Sequence, residues 1–332
     1  MPPSPVVDLV GVGLNDINTL ISVPAYPAPG SKVEYDSQAV LPGGQVASAV
    51  VACRRWGMST RYIGVLGDDN AARIHRDAFA RAGVETQIVC IPGAPSAYSV
   101  IIVDGGGERT VLSKRVEQMR LEARHLDRDW IVNAKALLVD GYDTAAATQA
   151  AEWARQAGIP VIADLDELYP GVERLIENTD YLIVSRDFPG RLMRESHLDS
   201  ALRKTMNRFG CRLTAATLGQ DGVLAWDGEQ LVHRCAYRVP VVDTTGAGDI
   251  FHAGFVYGIH CDWPLERQLD FACAAAALNC QGLGARGNIQ ALDAIEELIV
   301  AGNRYHAPHG LAGLVRSLDS QPAPAVRYTQ PL

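Results

Sequence analysis

The chain has 332 residues, 48% of them hydrophobic and 20% charged, and its 30 Lys and Arg against 38 Asp and Glu leave a formal net charge of −8. That length suits one large α/β domain or two smaller ones around a sizeable core. The acidic balance excludes broad nucleic-acid binding, which runs on phosphate neutralisation by Lys and Arg, but it leaves room for a local site that holds a small anion. The seven cysteines are odd in number and form no Cys-x-x-Cys, so neither a disulfide framework nor a zinc site is expected, and reduced thiols in a cytoplasmic protein are the simplest reading. The start, Met-Pro-Pro-Ser-Pro, lacks the features of a signal peptide, and no apolar run is long enough for a spanning helix, so no membrane partner is expected.

Val6 to Gly13 is an apolar run bounded by prolines and glycines, which predicts a buried strand with Asp16 just past its C-terminal end. Gly11-Val-Gly13 lacks the third glycine of a dinucleotide fingerprint, because Asp16 stands in its place. Between residues 18 and 42, Lys32-Val-Glu-Tyr-Asp36 alternates and predicts a strand of a small β layer. Pro42-Gly-Gly-Gln45 feeds a small-residue helix that ends at Gly57. A strand at 62–67 follows, then a helix from Asp68 or Asp69 to Ala82. Residues 96–103 and 108–112 flank Asp104-Gly-Gly-Gly107 and predict a hairpin. With the Lys32 region it would form a lid over about 18–42 and 96–113. From Ala136 strands and helices alternate through Thr217, which implies a parallel sheet covered on both faces. Two antiparallel edge strands follow, then mainly helices. Residues 1–316 are expected to form the domain, and 317–332 a poorly ordered tail.

Val241 to Phe251 reads Val-Val-Asp-Thr-Thr-Gly-Ala-Gly-Asp-Ile-Phe, which predicts strand, tight turn and helix. Gly246, Ala247 and Gly248 would open that helix, where unpaired N–H groups and the dipole favour an anion. Asp249 places a carboxylate beside it, and an anion hole next to a base points to phosphoryl transfer. An ordinary helix start also fits Thr-Thr-Gly, although a cap needs one good residue and not a stripped turn.

With these pieces in place, the sequence resembles the ribokinase-like (PfkB) family of carbohydrate and nucleoside kinases over roughly residues 6 to 300. Asp243-Thr-Thr-Gly-Ala-Gly-Asp249 is similar to the family's C-terminal signature. Pro42-Gly-Gly-Gln45 and Ile63-Gly-Val-Leu-Gly-Asp68 are similar to its N-terminal one, and Gly11 with Asp16 and Thr217-Leu-Gly219-Gln-Asp-Gly222 also fit. The resemblance implies a doubly wound, mostly parallel α/β sheet flanked by helices, a small β-sheet lid, ATP as phosphoryl donor, Mg²⁺ carried on it, and a small sugar as acceptor. It implies Asp249 as catalytic base, Gly246, Ala247 and Gly248 as anion hole, and Asp16, Gly43, Gly44, Gln45 and Ser48 as the acceptor pocket. It places the nucleotide near Ser185, Thr217, Gly219, Gly222 and Cys273. It also implies a K⁺ site from Asp243, Thr245 and the loop 279–288, with Asn279, Gly282, Gly284 and Asn288. A homodimer through the lid is in keeping with the family. Near a helix N-terminus the Asp249 carboxyl is expected to have a low pKa.

Several positions depart from the family's patterns. The strand–helix junction reads Ser185-Arg-Asp-Phe188 where many members have Asn-x-x-Glu, which puts the metal arrangement in doubt. Gln45, Ser48 and Leu14 replace residues of the ribokinases proper. His252, Ser185 and the Asp164/Asp166 pair are similar to the sulfofructose-kinase-like branch. An anionic acceptor could be held by Lys32, Arg109, Lys114 or Arg115. The expected reaction is phosphorylation of a primary hydroxyl of a small sugar or derivative. A nucleoside kinase is the nearest alternative, weakened by the scarcity of aromatic residues near Gly43, and a non-catalytic sugar- or nucleotide-binding regulator is the other.

Overall fold

Apolar strands and amphipathic helices alternate along the chain, and the computed structural model, which describes residues 6–114 and 116–306, orders them into two sheets. The elements run β1 (Leu9–Val12), β2 (Ile17–Ser22), β3 (Ser37–Pro42), α1 (Gln45–Arg55), β4 (Thr60–Leu66), α2 (Asn70–Ala82), β5 (Glu85–Cys90), β6 (Tyr98–Val103) and β7 (Arg109–Lys114). They continue with α3 (Arg128–Val132), β8 (Leu137–Asp140), α4 (Thr144–Gln156), β9 (Val161–Leu165), α5 (Val172–Glu177), β10 (Tyr181–Ser185), α6 (Phe188–Met193) and α7 (Leu198–Phe209). The last third holds β11 (Leu213–Thr217), β12 (Val223–Trp226), β13 (Leu231–Arg234), α8 (Ala247–His260), α9 (Leu265–Asn279) and α10 (Leu292–Ala301).

The large sheet has nine strands in the order β13-β12-β11-β10-β9-β8-β1-β4-β5. Pairing is parallel from β11 to β5 and antiparallel at β12 and β13. Alternation along each strand feeds two cores. Leu9, Leu138, Ile162 and Ile183 pack against α1, α8 and α9, while Val10, Val139, Ala163 and Val184 pack against α4, α5 and α7. Strands buried on both faces explain the near-continuous apolar runs. The chain leaves β1 toward β4 on one side and β8 on the other, so the crevice at the C-terminal ends of β1 and β8 is the switch point where such sheets bind ligands.

The lid is the second sheet, β3-β2-β6-β7. Its strands fall within 18–42 and 96–113 to within a residue at each end, but one strand lies elsewhere than predicted. Lys32–Asp36 is loop, and the strand begins at Ser37, in register with β2 from Ile17↔Pro42 to Ser22↔Ser37. Val33 and Tyr35 are exposed, so the alternation of Lys32–Asp36 has no surface to bury against. Val241 and Val242 form no strand either. Both are exposed, and the N–H groups of Val242 and Asp243 donate to the Cys280 carbonyl instead of a sheet. The expected tail, 317–332, lies outside the described residues. Among the described residues, no helix is long and apolar enough to cross a membrane.

Candidate active site

A cleft of about 200 Å³ opens at the switch point, with Asp16, Gly44, Gln45, Ser99, Arg109, Asp166, Thr245, Gly246 and Asp249 on its walls. Asp16 comes from the turn between β1 and β2, Gly44 and Gln45 from the start of α1, Arg109 from the lid, and Asp249 from the first turn of α8. Residues more than two hundred positions apart thus meet because β1 and the chain before α8 end at the same edge of the sheet.

The first turn of α8 separates two demands on its small residues. Gly246 is the N-cap with φ 77°, and a Cβ there would collide with the Ala285 carbonyl oxygen, so the backbone requires glycine. At Gly248 a Cβ would meet no atom within 4 Å. Packing leaves that position free, so its bareness keeps open the approach to the N–H groups of the turn. Ala247 N–H is used within the turn, donating to Thr244 O at 3.2 Å.

Asp249 departs from its expected low pKa. Burial pushes its carboxyl up to about 6, opposed by Arg109 and His252 and reinforced by Asp16 and Asp166. Desolvation outweighs the helix dipole here. Asp16 is likewise raised to about 6 by burial, with Ser99 and Arg286 acting the other way. Ser99 Oγ donates to Asp16 Oδ2 at 2.8 Å, and Gly43 N–H donates to the Asp16 carbonyl at 2.8 Å. His75 Nε2 lies 2.8 Å from the same carbonyl. Burial lowers the His75 imidazole to about 3, so it is neutral and donates through Nε2. Asp140, at the end of β8, accepts the Leu14 N–H at 2.6 Å and so holds the turn before Asp16.

Behind the helix start, His252 Nδ1 lies 2.8 Å from Gly248 O and 3.2 Å from Asp164 Oδ2, with Nε2 3.2 Å from Ile183 O. Burial raises Asp164 well above the usual carboxylate range, Asp249 and Asp166 add to the shift, and a hydrogen bond with the Gln45 side chain opposes it. His252 is buried and packs the helix to the sheet.

The residues expected to hold K⁺ converge. Asp243 is fully buried and accepts Thr245 N–H and Gly284 N–H, each at 2.8 Å. Asn279 Nδ2 donates to Ala285 O at 3.1 Å, and Asn279 Oδ1 accepts Asn288 N–H at 3.2 Å. Gly282 packs against Gly287 within the same loop. The donor set is all oxygen, and Thr245 Oγ1 is buried without a hydrogen-bond partner, so the set fits a monovalent cation. Among the described residues no group of three or more His, Cys, Asp or Glu could cage a metal.

The nucleotide residues are arranged differently. Ser185 ends β10 and Thr217 ends β11, followed by Gly219 and Gly222, so they continue along the same sheet edge away from the cleft. Ser185 Oγ donates to Asp166 O at 3.3 Å. Arg186 donates to Leu218 O and Asp221 Oδ2, both at 2.6 Å, and ties the loop after β11 to the junction after β10. Cys273 does not reach the cleft. It packs in the core, where burial pushes its thiol up to about 12. Ser48 is fully buried one turn into α1 and faces Arg286. Of the basic residues weighed for an anionic acceptor, Arg109 and Lys114 line the cleft, Lys32 lies on the exposed loop before β3, and Arg115 lies outside the described residues. The structure also brings Tyr98, Tyr142 and Tyr169 to the cleft, so aromatic residues are not scarce there. Sequence reasoning missed Ser99, His75 and Arg286. Only Arg286 carried a signal, as the one charged residue between 280 and 288.

A lidded crevice at the switch point of a doubly wound sheet, with a half-buried carboxylate at a bare helix start, defines a phosphotransferase of the ribokinase-like type. The model of the pfkB family of carbohydrate kinases matches residues 12–292, and the chain belongs to that family. It is 27% identical over 282 residues to 5-dehydro-2-deoxygluconokinase of Geobacillus thermodenitrificans, covering 77% of this chain and 83% of that one. It is 29% identical over 299 residues to aminoimidazole riboside kinase of Salmonella typhimurium, covering 84% and 92%. A crystal structure from Agrobacterium tumefaciens superposes with a TM-score of 0.81 at 28% identity, covering 88% of this chain and 97% of its own. The ribokinase of Thermotoga maritima shares the fold, with a TM-score of 0.75 at 23% identity over 88% and 99% of the two chains. The protein is thus an ATP-dependent kinase of the sugar and nucleoside kinase family.

Proposed function

We propose that the protein phosphorylates a primary hydroxyl of a small sugar or sugar derivative, with Asp249 as base and Gly246, Ala247 and Gly248 as anion hole. One observation carries this reading: Asp16 and Asp249 line the same cleft as the start of α8. Asp16 is the hydrogen-bond acceptor for sugar hydroxyls, with Gly43, Gly44 and Gln45 beside it. Asp249 takes the proton of the attacking hydroxyl. A carboxyl near 6 is mostly ionised at pH 7 and is a stronger base than an ordinary aspartate. The N–H groups at the start of α8, with Arg109 on the lid, hold the charge of the transferred phosphoryl group.

The nucleotide would extend along the sheet edge toward Ser185, Thr217, Gly219 and Gly222. The end of β11 lies four strands from β1, roughly 19 Å at about 4.8 Å per strand, a span suited to an extended nucleoside triphosphate. Mg²⁺ would be held mainly by phosphates and water, with Asp166 a further carboxylate on the cleft wall. K⁺ would sit at Asp243, the Thr245 carbonyl and the loop 279–288. Val40 and Leu112 expose apolar surface on the lid, which supports a homodimer through it.

A nucleoside acceptor is the second reading. It is favoured by Tyr142 and Tyr169, which meet edge to face with centroids 6.3 Å apart on the cleft wall and could flank a base. ADP release measured with ATP across a panel of sugars, sugar acids and nucleosides separates the two. Asp249→Asn should abolish that turnover and leave nucleotide binding nearly intact. Ligand binding without turnover across the whole panel would overturn both kinase readings in favour of a binding regulator.

A further inference from the structure

Arg286 crosses from one half of the site to the other. It belongs to the loop whose Ala285 carbonyl abuts Gly246 and whose Gly284 N–H is held by Asp243. Its side chain reaches the acceptor side. Nε donates to Ser48 Oγ at 3.3 Å, Nη2 donates to the Gly43 carbonyl at 3.2 Å, and the guanidinium lies 5.6 Å from the Phe79 ring centroid. The Gly43 peptide is thereby held from both ends, because its N–H donates to the Asp16 carbonyl. The planar fork meets both acceptors in one fixed geometry that a lysine ammonium does not reproduce.

The charge matters as well as the fork. Tyr62, Asp249 and Asp16 face the Arg286 guanidinium, which stays charged. The groups around Asp16 are Ser99 from β6, His75 from α2, Arg286 from its loop and Asp249 from α8. Arg109, Lys114 and Asp166 line the same cleft. His75 is neutral at working pH and Asp249 repels, and Arg286 is the cation that favours the ionised form of Asp16.

We propose that Arg286 is a positioning residue for the acceptor: it fixes the Gly43 turn and Ser48, and it supplies the counter-charge that keeps Asp16 ionised to receive sugar hydroxyls. This rests on the reading of Asp16 as the acceptor-binding carboxylate. The acceptor never meets Arg286, which acts through Gly43 and Asp16.

The test compares Arg286→Met and Arg286→Lys with wild type in the full chain. Carbon-13 NMR of labelled aspartate carboxyls follows Asp16 without any acceptor, its signal assigned by its loss in Asp16→Asn. In Arg286→Met the Asp16 titration should move up by roughly one pH unit or more, and in Arg286→Lys by less. With D-ribose and D-fructose as acceptors, Arg286→Met should raise acceptor KM roughly tenfold, with kcat and the KM for ATP changed far less. Arg286→Lys should recover part of that loss. If Arg286→Met fails to fold, Arg286→Lys still decides, because it keeps the charge and loses the fork: acceptor KM should rise with little movement of the titration. An unmoved Asp16 titration in Arg286→Met, or equal losses in kcat and both KM values, would overturn the proposal and leave Arg286 a packing residue. Wild-type acceptor KM in Asp16→Asn would instead sink the acceptor reading of Asp16, whatever the titration shows.

Discussion

The guanidinium of Arg109, on the first residue of lid strand β7, donates a hydrogen bond to the carbonyl of Thr244, two residues before the cap of α8. Thr244 answers through its N–H and its hydroxyl, both 3.2 Å from the Gly107 carbonyl. The lid is therefore latched to the strand-less turn that aims Asp249. Arg109 also opposes the upward shift of the Asp249 carboxyl. Arg109→Ala should lower kcat by roughly tenfold or more through the lost charge-assisted bond. The acidic limb of the kcat profile should move to higher pH, since Asp249 loses a cation. A pH–rate series on variant and wild type checks both, and an unmoved limb would show that Arg109 acts on the lid alone.

The start of α8 separates stability from activity at two glycines. Gly246→Ala places a side chain at φ 77° against the Ala285 carbonyl, which should cost at least about 1–3 kcal/mol in strain alone. Gly248→Ala meets open space and sits in a helix, where alanine gains about 0.5–1 kcal/mol over glycine. It should keep or raise the melting temperature and still cut turnover, by up to about a hundredfold if the methyl group closes the approach to the anion hole. Thermal melts and initial rates on the two variants check this. Equal loss of stability in both would refute the distinction.

Two carboxyls raised to about 6 make the site a cost to the fold at neutral pH. The folded state binds more protons than the unfolded one between about pH 4 and 6, so each group's favourable contribution is present in acid and is lost as pH rises through that window. At about 1.4 kcal/mol per pH unit the ceiling is about 3 kcal/mol per group, and the partial exposure of both side chains lowers it. Asp249→Asn should therefore melt higher than wild type at pH 7, with the gap closing toward pH 4. Melting curves at pH 4, 5.5 and 7 check the sign. Activity runs the other way and should rise through about pH 6 as the base ionises.

Local chemistry was legible before any fold was known. The bare Gly246-Ala247-Gly248 start, Asp249 and the end of the first strand at Asp16 each follow from residues adjacent in sequence, and the alternation after Ala136 implied the parallel sheet. What escaped depends on distant partners. Ile17–Ser22 was not foreseen as a strand, because its mixed Ile-Asn-Thr-Leu-Ile-Ser pattern acquires meaning only between β3 and β6. The reverse holds for Val241 and Val242, whose β-branched side chains suggest a strand although the N–H groups of Val242 and Asp243 donate to the Cys280 carbonyl and not to a sheet. The pKa of Asp249 was misjudged because the dipole is local and readable, whereas burial comes from the whole cleft. Arg286 was hidden for the same reason: its partners, Gly43 and Ser48, lie about 240 positions earlier in the chain.

The latch between Arg109, Gly107 and Thr244 joins the lid to the turn that leads into α8. Were the lid to open, bonds that also support the turn before Asp249 would break, so on the proposed reading the machinery is complete only when the roof is down. An enzyme working in that way would guard against wasteful hydrolysis, since water would enter freely only where that turn has lost the lid's support.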